Sequence, residues 1–252
     1  MVIQYCSDLH LEFLDNRKWI LSSPIIPKGD ILILAGDIVL FNEMQYHQKF
    51  FDYVSRHFKH TYWIPGNHEY YNSDISLRYG SFEENIRDNV TLLNNKVKTI
   101  DGIRLVFSTL WSNISIEKQL LIQKSLSDFH VIRNNQKKLT VAEYNQMHVE
   151  SRLFLENTLK EKNNLPTVVV THHPPTFINY PEKYMNSSIN EAFGTELGVF
   201  IENNEIDYWI YGHHHCNVPD FTVGKTRLVT NQLGYVKYRE NDNYTKEATF
   251  TL

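Results

Sequence analysis

Five short turns carry most of the side chains in this 252-residue chain that could do chemistry. They read Cys6-Ser7-Asp8-Leu9-His10, Ala35-Gly36-Asp37, Pro65-Gly66-Asn67-His68-Glu69, Thr171-His172-His173-Pro174-Pro175 and Tyr211-Gly212-His213-His214-His215. Two carboxylates, one amide oxygen and several imidazoles make a hard-to-borderline donor set with no thiolate at its centre. Such a set suits Mn, Fe, Zn or Ni and is too rich in nitrogen for a Ca or Mg cage. It also offers more donors than one tetrahedral zinc can use. Two metals about 3.5–4 Å apart, sharing a carboxylate, would use them all. With the charges of Asp8, Asp37 and a bound hydroxide subtracted, roughly one positive charge remains to attract an anionic phosphoester. A centre of this kind makes hydroxide available near neutral pH.

Each turn follows a β-rich run: Val2–Tyr5, Ile31–Leu34, Thr61–Ile64, Thr167–Val170 and Asp207–Ile210. One such turn would mean little. Five in the same position after a strand point to a shared site. Further strands are expected at Thr91–Leu93, Ile103–Phe107, Thr226–Thr230, Tyr235–Tyr238 and Ala248–Leu252. Helices are expected at Glu43–Phe58 and Asp74–Arg87, behind Asn42 and Ser73 as N-caps. Thr140 and Glu143 have capping-box spacing and open a third helix. His148 falls on its apolar stripe with Tyr144, Ser151, Leu155 and Leu159 and reads as a packed residue. Strands alternating with helices indicate an α/β architecture, whose functional residues gather beyond the carboxyl ends of the strands.

Asp8-x-His10, Gly36-Asp37, Gly66-Asn67-His68-Glu69, His172 and Gly212-His213-x-His215, in this order, resemble the calcineurin-like metallophosphoesterase superfamily. The resemblance runs from residue 8 to residue 215. It implies an α/β sandwich of two sheets flanked by helices, with the active site at the carboxyl ends of the strands. It also implies a pair of divalent ions, with Mn favoured. Asp8, His10 and His215 would hold the first metal, Asn67, His172 and His213 the second, and Asp37 would bridge them. His68 would be the histidine that contacts the phosphate and protonates the leaving oxygen. The reaction implied is phosphoester hydrolysis by attack of metal-bound hydroxide. The apolar continuation Ile38-Val39-Leu40 differs from the G-D-x-x-D-R-G of the superfamily's protein phosphatases. His68 stands where the lipid A pathway hydrolases usually carry Arg. The set is most similar to small bacterial-type phosphoesterases, including phosphodiesterases, and implies a small phosphodiester substrate.

Neighbouring residues need their own readings. In an extended H-x-H segment alternate side chains share a side, which pairs His213 with His215 and turns His214 away. Cys6 and Cys216 read as small buried thiols. His173 is a candidate substrate contact, as are Phe177, Tyr180 and Tyr184 in the loop after His172, and Trp111. Structural packing is the competing role for each. His68-Glu69 does not continue into a zinc-protease helix, because position 72 is Asn, and there is no phosphate-binding Gly-rich loop followed by Lys-Ser/Thr.

Twelve histidines are present but only two cysteines, too few for a disulfide framework. The net charge of −4 gives no global attraction to nucleic acid or membrane. Nucleic acid therefore stays a disfavoured partner, and a small phosphoester the expected one. No apolar stretch is long enough to span a bilayer and no leader pattern opens the chain, so a cytoplasmic location is expected. Nothing resembling a linker divides residues 1–252, which read as one domain. Two other functions compete with the hydrolase: a non-catalytic binding scaffold on the same fold, and a single-strand nuclease.

Overall fold

The apolar run Ile31–Ala35 is buried along its whole length because both of its faces are covered. Alternate side chains of a strand point to opposite sides. Ile31, Ile33 and Ala35 meet Leu105, Phe107 and Val170 of a facing sheet, whereas Leu32 and Leu34 pack outward on Phe51, Val54 and Trp63. In the computed structural model, which describes residues 1–161 and 163–252, this pattern holds for two mixed sheets of six strands each. The chain runs β1 (Val2–Cys6), α1 (Leu14–Ser22), β2 (Ile31–Ala35), α2 (Gln48–His57), β3 (His60–Ile64), β4 (Phe82–Arg87), β5 (Val90–Asn94), β6 (Lys96–Ile100) and β7 (Ile103–Ser108). It continues through α3 (Gln119–Ser125), α4 (Asp128–Val131), the small hairpin β8 (Arg133–Asn134) and β9 (Lys137–Lys138), and α5 (Val141–Lys160). The last elements are β10 (Thr167–Thr171), α6 (Gly198–Glu202), β11 (Tyr208–Tyr211), β12 (Phe221–Val223), β13 (Thr226–Thr230) and β14 (Thr249–Thr251).

The first sheet has the order β14-β1-β2-β3-β5-β4 and the second β12-β13-β11-β10-β7-β6. In each, four central strands are parallel and both edge strands antiparallel. Parallel strands in register end together: Cys6 pairs with Leu34, Ala35 with Ile64, Thr171 with Ser108, and Tyr211 with Thr230. All five polar turns therefore leave their sheets at one edge. A bridge between Ser7 and Gln232 joins the two sheets there.

The capping box forms as expected. Thr140 Oγ1 accepts from the Glu143 N–H, and the Glu143 carboxylate accepts from the Thr140 N–H at 2.8 Å. His148 donates from Nδ1 to the Trp111 carbonyl and is a packed residue. Three expectations need correction. The Glu43–Phe58 segment is broken at His47 into a 3-10 turn, Phe41–Tyr46, and α2, which starts without a side-chain cap. Residues 74–87 are a 3-10 turn, Ile75–Arg78, then Gly80 at φ +64° and strand β4. Its half-buried positions are Phe82, Glu84 and Ile86, with Arg87 at the end, a period of two over residues 82–86 that the helix reading overlooked. Tyr235–Tyr238 is no strand, since Gly234 at φ +66° and Arg239 at φ +60° turn the chain on either side of it. Helix α1 was not anticipated, having no capping side chain at Phe13. No helix among the described residues is long and apolar enough to cross a membrane.

Candidate metal centre

Five of the expected ligands stand in the left-handed region: Asp8 at φ 56°, His10 at 47°, Asp37 at 55°, His213 at 80° and His215 at 48°. Residues other than glycine rarely adopt this conformation, which persists only where the surroundings over-determine it. Here the turns brace one another. The Asp8 N–H donates to Gly36 O, the His10 N–H to Asp37 O and the Leu11 N–H to Ile38 O, each at 2.9 Å. The His213 N–H donates to the Asp8 carboxylate at 3.0 Å, and the Gly212 N–H to His172 O at 2.9 Å. Gly36 and Gly66 are required by close approach: a Cβ on Gly36 would strike the His172 ring, and one on Gly66 would strike Asp37 and His172.

The donors converge as two groups. Asp8, His10, Asp37 and His215 each offer an atom within 4.8 Å of the others, and so do Asp37, His172 and His213. Asp37 belongs to both. Its Oδ2 lies 3.8 Å from His10 Nε2 and its Oδ1 3.4 Å from His172 Nε2, so each carboxylate oxygen faces one group. Asn67 joins the second group, with Oδ1 3.3 Å from His172 Nε2.

Hydrogen bonds behind the rings set which nitrogens face inward. Nδ1 of His10 donates to Glu12 Oε1 at 3.1 Å, Nδ1 of His215 to Glu240 Oε2 at 2.8 Å, and Nδ1 of His172 to Ala35 O at 2.9 Å. These acceptors carry no proton to give, so in the neutral rings Nε2 presents a lone pair. His10 Nε2 and His215 Nε2 then face each other at 2.9 Å, with Asp8 Oδ1 3.3 Å from the latter. His172 Nε2 likewise lies 3.1 Å from His213 Nδ1. Lone pairs and carboxylates at such distances call for a cation, either a proton or a metal. The residues fit a pair of divalent ions. The electrostatics agree: burial lowers the basicity of His172, but the Asp37 charge overrides it and raises the pKa to about 9. Burial likewise opposes protonation of His215, yet Asp8 and Glu240 raise it to about 10. His213, buried with His173 and His172 beside it, is held well below the ordinary value.

His68 sits at the floor of a cavity of about 360 Å³ above these groups. Its Nδ1 donates to Glu12 Oε1 at 2.9 Å, its ring stacks on Tyr71 with centroids 4.0 Å apart, and its Nε2 lies 3.2 Å from the Tyr235 hydroxyl. The Tyr180 and Tyr184 side chains line the same cavity. The other three suggested substrate contacts do not. His173 lies behind His213, rings 4.2 Å apart, and burial with the His172 charge holds it neutral at a pKa of about 3. Trp111 is buried against Tyr144 and His173, and Phe177 backs Tyr180 with centroids 5.1 Å apart. His214, expected to turn away from its neighbours, is buried at the cavity's edge, its Nδ1 accepting from Gln232 Nε2 at 3.1 Å. Cys6 is buried as expected and Cys216 only half so.

Sequence reading placed Glu69 in a motif without giving it a role and missed the other groups that orient the donors. The buried Glu69 carboxylate accepts from the N–H groups of Asp37, Ile38 and Gly66 at 2.6–2.9 Å and from Trp63 Nε1 at 3.0 Å. It ties two motif turns together. Burial and the Asp37 charge raise its pKa to about 8 against the pull of those donors. Asp128 Oδ1 accepts from Asn67 Nδ2 at 2.9 Å and from Tyr71 at 2.7 Å, leaving the Asn67 carbonyl oxygen free to face His172. Glu12 could have been found, lying two residues beyond His10. Asp128, Tyr235 and Glu240 lie in stretches with no distinguishing pattern.

A model of the calcineurin-like phosphoesterase family matches residues 1–217. The chain is 36% identical over 267 aligned residues to "Uncharacterized protein L509" of Acanthamoeba polyphaga mimivirus, covering 96% of this chain and 94% of the relative. Its fold is similar to the phosphopantetheinyl hydrolase of Mycobacterium tuberculosis, at a TM-score of 0.73, 18% identity, and coverage of 99% and 95%. A dimetal phosphatase from Danio rerio aligns at a TM-score of 0.44 and 13% identity, over 92% of this chain and 87% of that one. The extent of the family match, from the first strand to beyond His215, leaves one conclusion: the chain belongs to the calcineurin-like phosphoesterases.

Proposed function

We propose that this metal-dependent phosphoesterase works with two divalent ions, manganese favoured, on a small phosphodiester. The observation that carries the reading is Asp37, one oxygen turned to the His10 group and the other to the His172 group. Asp8, His10, His215 and Asp37 would hold one ion, and Asp37, Asn67, His172 and His213 the other. When bound, such ions polarise phosphate oxygens and activate a water as nucleophile. The rest of the work belongs to the chain. Glu12 keeps the proton of His68 on Nδ1 in the neutral ring, so a protonated His68 would present Nε2 as donor to the leaving oxygen. The Tyr235 hydroxyl steadies Nε2, and the Tyr71 ring fixes the plane of the imidazole. The free thiols Cys6 and Cys216 are compatible with a reducing, cytoplasmic setting.

Metal analysis combined with a panel of phosphodiesters and monoesters tests the proposal. A phosphopantetheinyl diester belongs in the panel because of the substrate named for the Mycobacterium tuberculosis neighbour. Expected are two metals per chain, diester turnover, and loss of both in Asp37→Ala. One metal per chain, or monoester turnover alone, would refute it.

A further inference from the structure

The wall of the cavity above the two donor groups is largely aromatic, and the fixed charge it carries is acidic. Tyr71, Tyr180, Tyr184, Phe193 and Tyr235 line it, interspersed with hydroxyl and amide side chains such as Ser127 and Asn190. Apart from histidines, the charged side chains on the wall among the described residues are Asp37 and Glu240, both acidic. Among the described residues no lysine or arginine lines it. Lys183 is not among the lining residues; it lays its ammonium on the Tyr184 ring, 4.5 Å from the centroid, where the Glu240 charge acts on it. The Tyr180 ring is wedged edge to face between Phe177 and His214, with centroids 5.1 Å and 5.7 Å away.

The floor is also less positive than the motif carboxylates alone imply. Glu12 and Glu240, hydrogen-bonded behind His10, His68 and His215, join Asp8 and Asp37 as a third and fourth carboxylate. These four carboxylates reduce the positive excess that two divalent ions would otherwise present to a polyanion.

From this wall and floor we infer that the substrate carries a single phosphate, attached to an uncharged ring-bearing group that packs on the Tyr180 and Tyr184 side of the cavity. A second phosphate would enter a wall lined by aromatic rings and carboxylates with no lysine or arginine to receive it, and would lose its hydration with little return. A neutral ring would exchange water for aromatic contact. The inference rests on the phosphoesterase reading and narrows its substrate.

Three p-nitrophenyl diesters separate the terms: the methyl ester, the thymidine 5′-ester, and the thymidine 5′-ester bearing an added 3′-phosphate. All three release the same leaving group. With the metal-loaded protein, kcat/KM should be about 10-fold or more higher for the thymidine ester than for the methyl ester. The 3′-phosphate should remove about 10-fold or more of that gain. Tyr180→Ala should shrink the thymidine-to-methyl ratio to roughly threefold or less, the loss of one stacking contact. Calorimetry supplies a readout apart from turnover: thymidine 5′-phosphate should bind about 10-fold or more tightly than thymidine 3′,5′-bisphosphate. Equal or better use of the 3′-phosphorylated ester, or a methyl ester as good as the thymidine ester, would overturn the inference while leaving the phosphodiesterase intact. If none of the esters is hydrolysed but the calorimetric preference holds, the diesterase reading fails and the selectivity of the wall stands.

Discussion

The Nδ1 of His68 lies 2.9 Å from Glu12 Oε1, the same oxygen that accepts from His10 at 3.1 Å. One buried carboxylate thus orients an imidazole proposed as a metal ligand and the imidazole proposed to act on the leaving group. The pKa of Glu12 falls to about 2: burial opposes ionisation, but the hydrogen bonds from His10 and His68 prevail. Glu12→Gln keeps the shape and removes the charge. It should weaken metal affinity about 10- to 100-fold, the usual scale for a partner behind a ligand histidine. It should also cut kcat at saturating metal. Metal titration and turnover measured on one preparation check both effects, and unchanged kcat at full loading would separate Glu12 from His68.

Replacing Asp37 by Asn should lower occupancy of both metals, because each carboxylate oxygen faces a different group. His10→Ala should mainly affect one, since only the Asp8, His10 and His215 side loses a donor. Inductively coupled plasma analysis after equilibration with graded metal distinguishes them. Two metals bound normally by Asp37→Asn would contradict the bridge.

His68→Ala should keep its metals yet lose turnover by roughly 10²–10⁴-fold, as expected for a positioned acid. Aryl esters with good leaving groups should suffer least, because they need the proton least. Metal loss in this variant would instead make His68 a ligand.

The metal-free protein should respond to pH in a defined direction. His172 and His215 have folded pKa values of about 9 and 10, above the ordinary value of about 6.5 in an unfolded chain. Their protonation therefore stabilises the fold fully below about pH 6.5, and that contribution is lost as pH rises through 9 to 10. Thermal denaturation of the metal-free chain should show Tm falling across this range. Metal loading near pH 7.5 should displace those protons, seen as heats that vary with the ionisation enthalpy of the buffer. A loading heat independent of buffer would show that the two rings are already neutral.

By itself, the sequence determined the candidate donors and their order along the chain. Asp8, His10, Asp37, Asn67, His172, His213 and His215 each follow a β-rich run, and parallel strands in register must release such turns at one edge. The apolar run Ile31–Leu34 likewise announced a strand, and the structure shows that strand covered on both faces. Local pattern did less well where backbone conformation overrode composition, as at Gly80 before β4 and at Gly234 beside Tyr235. Only the tertiary structure decided which distant carboxylate stands behind each ring. Glu240 meets His215 and Asp128 meets Asn67 through contacts between segments remote in the chain, which no local spacing encodes. The same limit separates the aromatic candidates: Tyr180 and Tyr184 face the cavity, whereas Trp111 and His173 fill the core behind it. Burial depends on which elements pack together, and a residue's type does not reveal on which side of a wall it will stand.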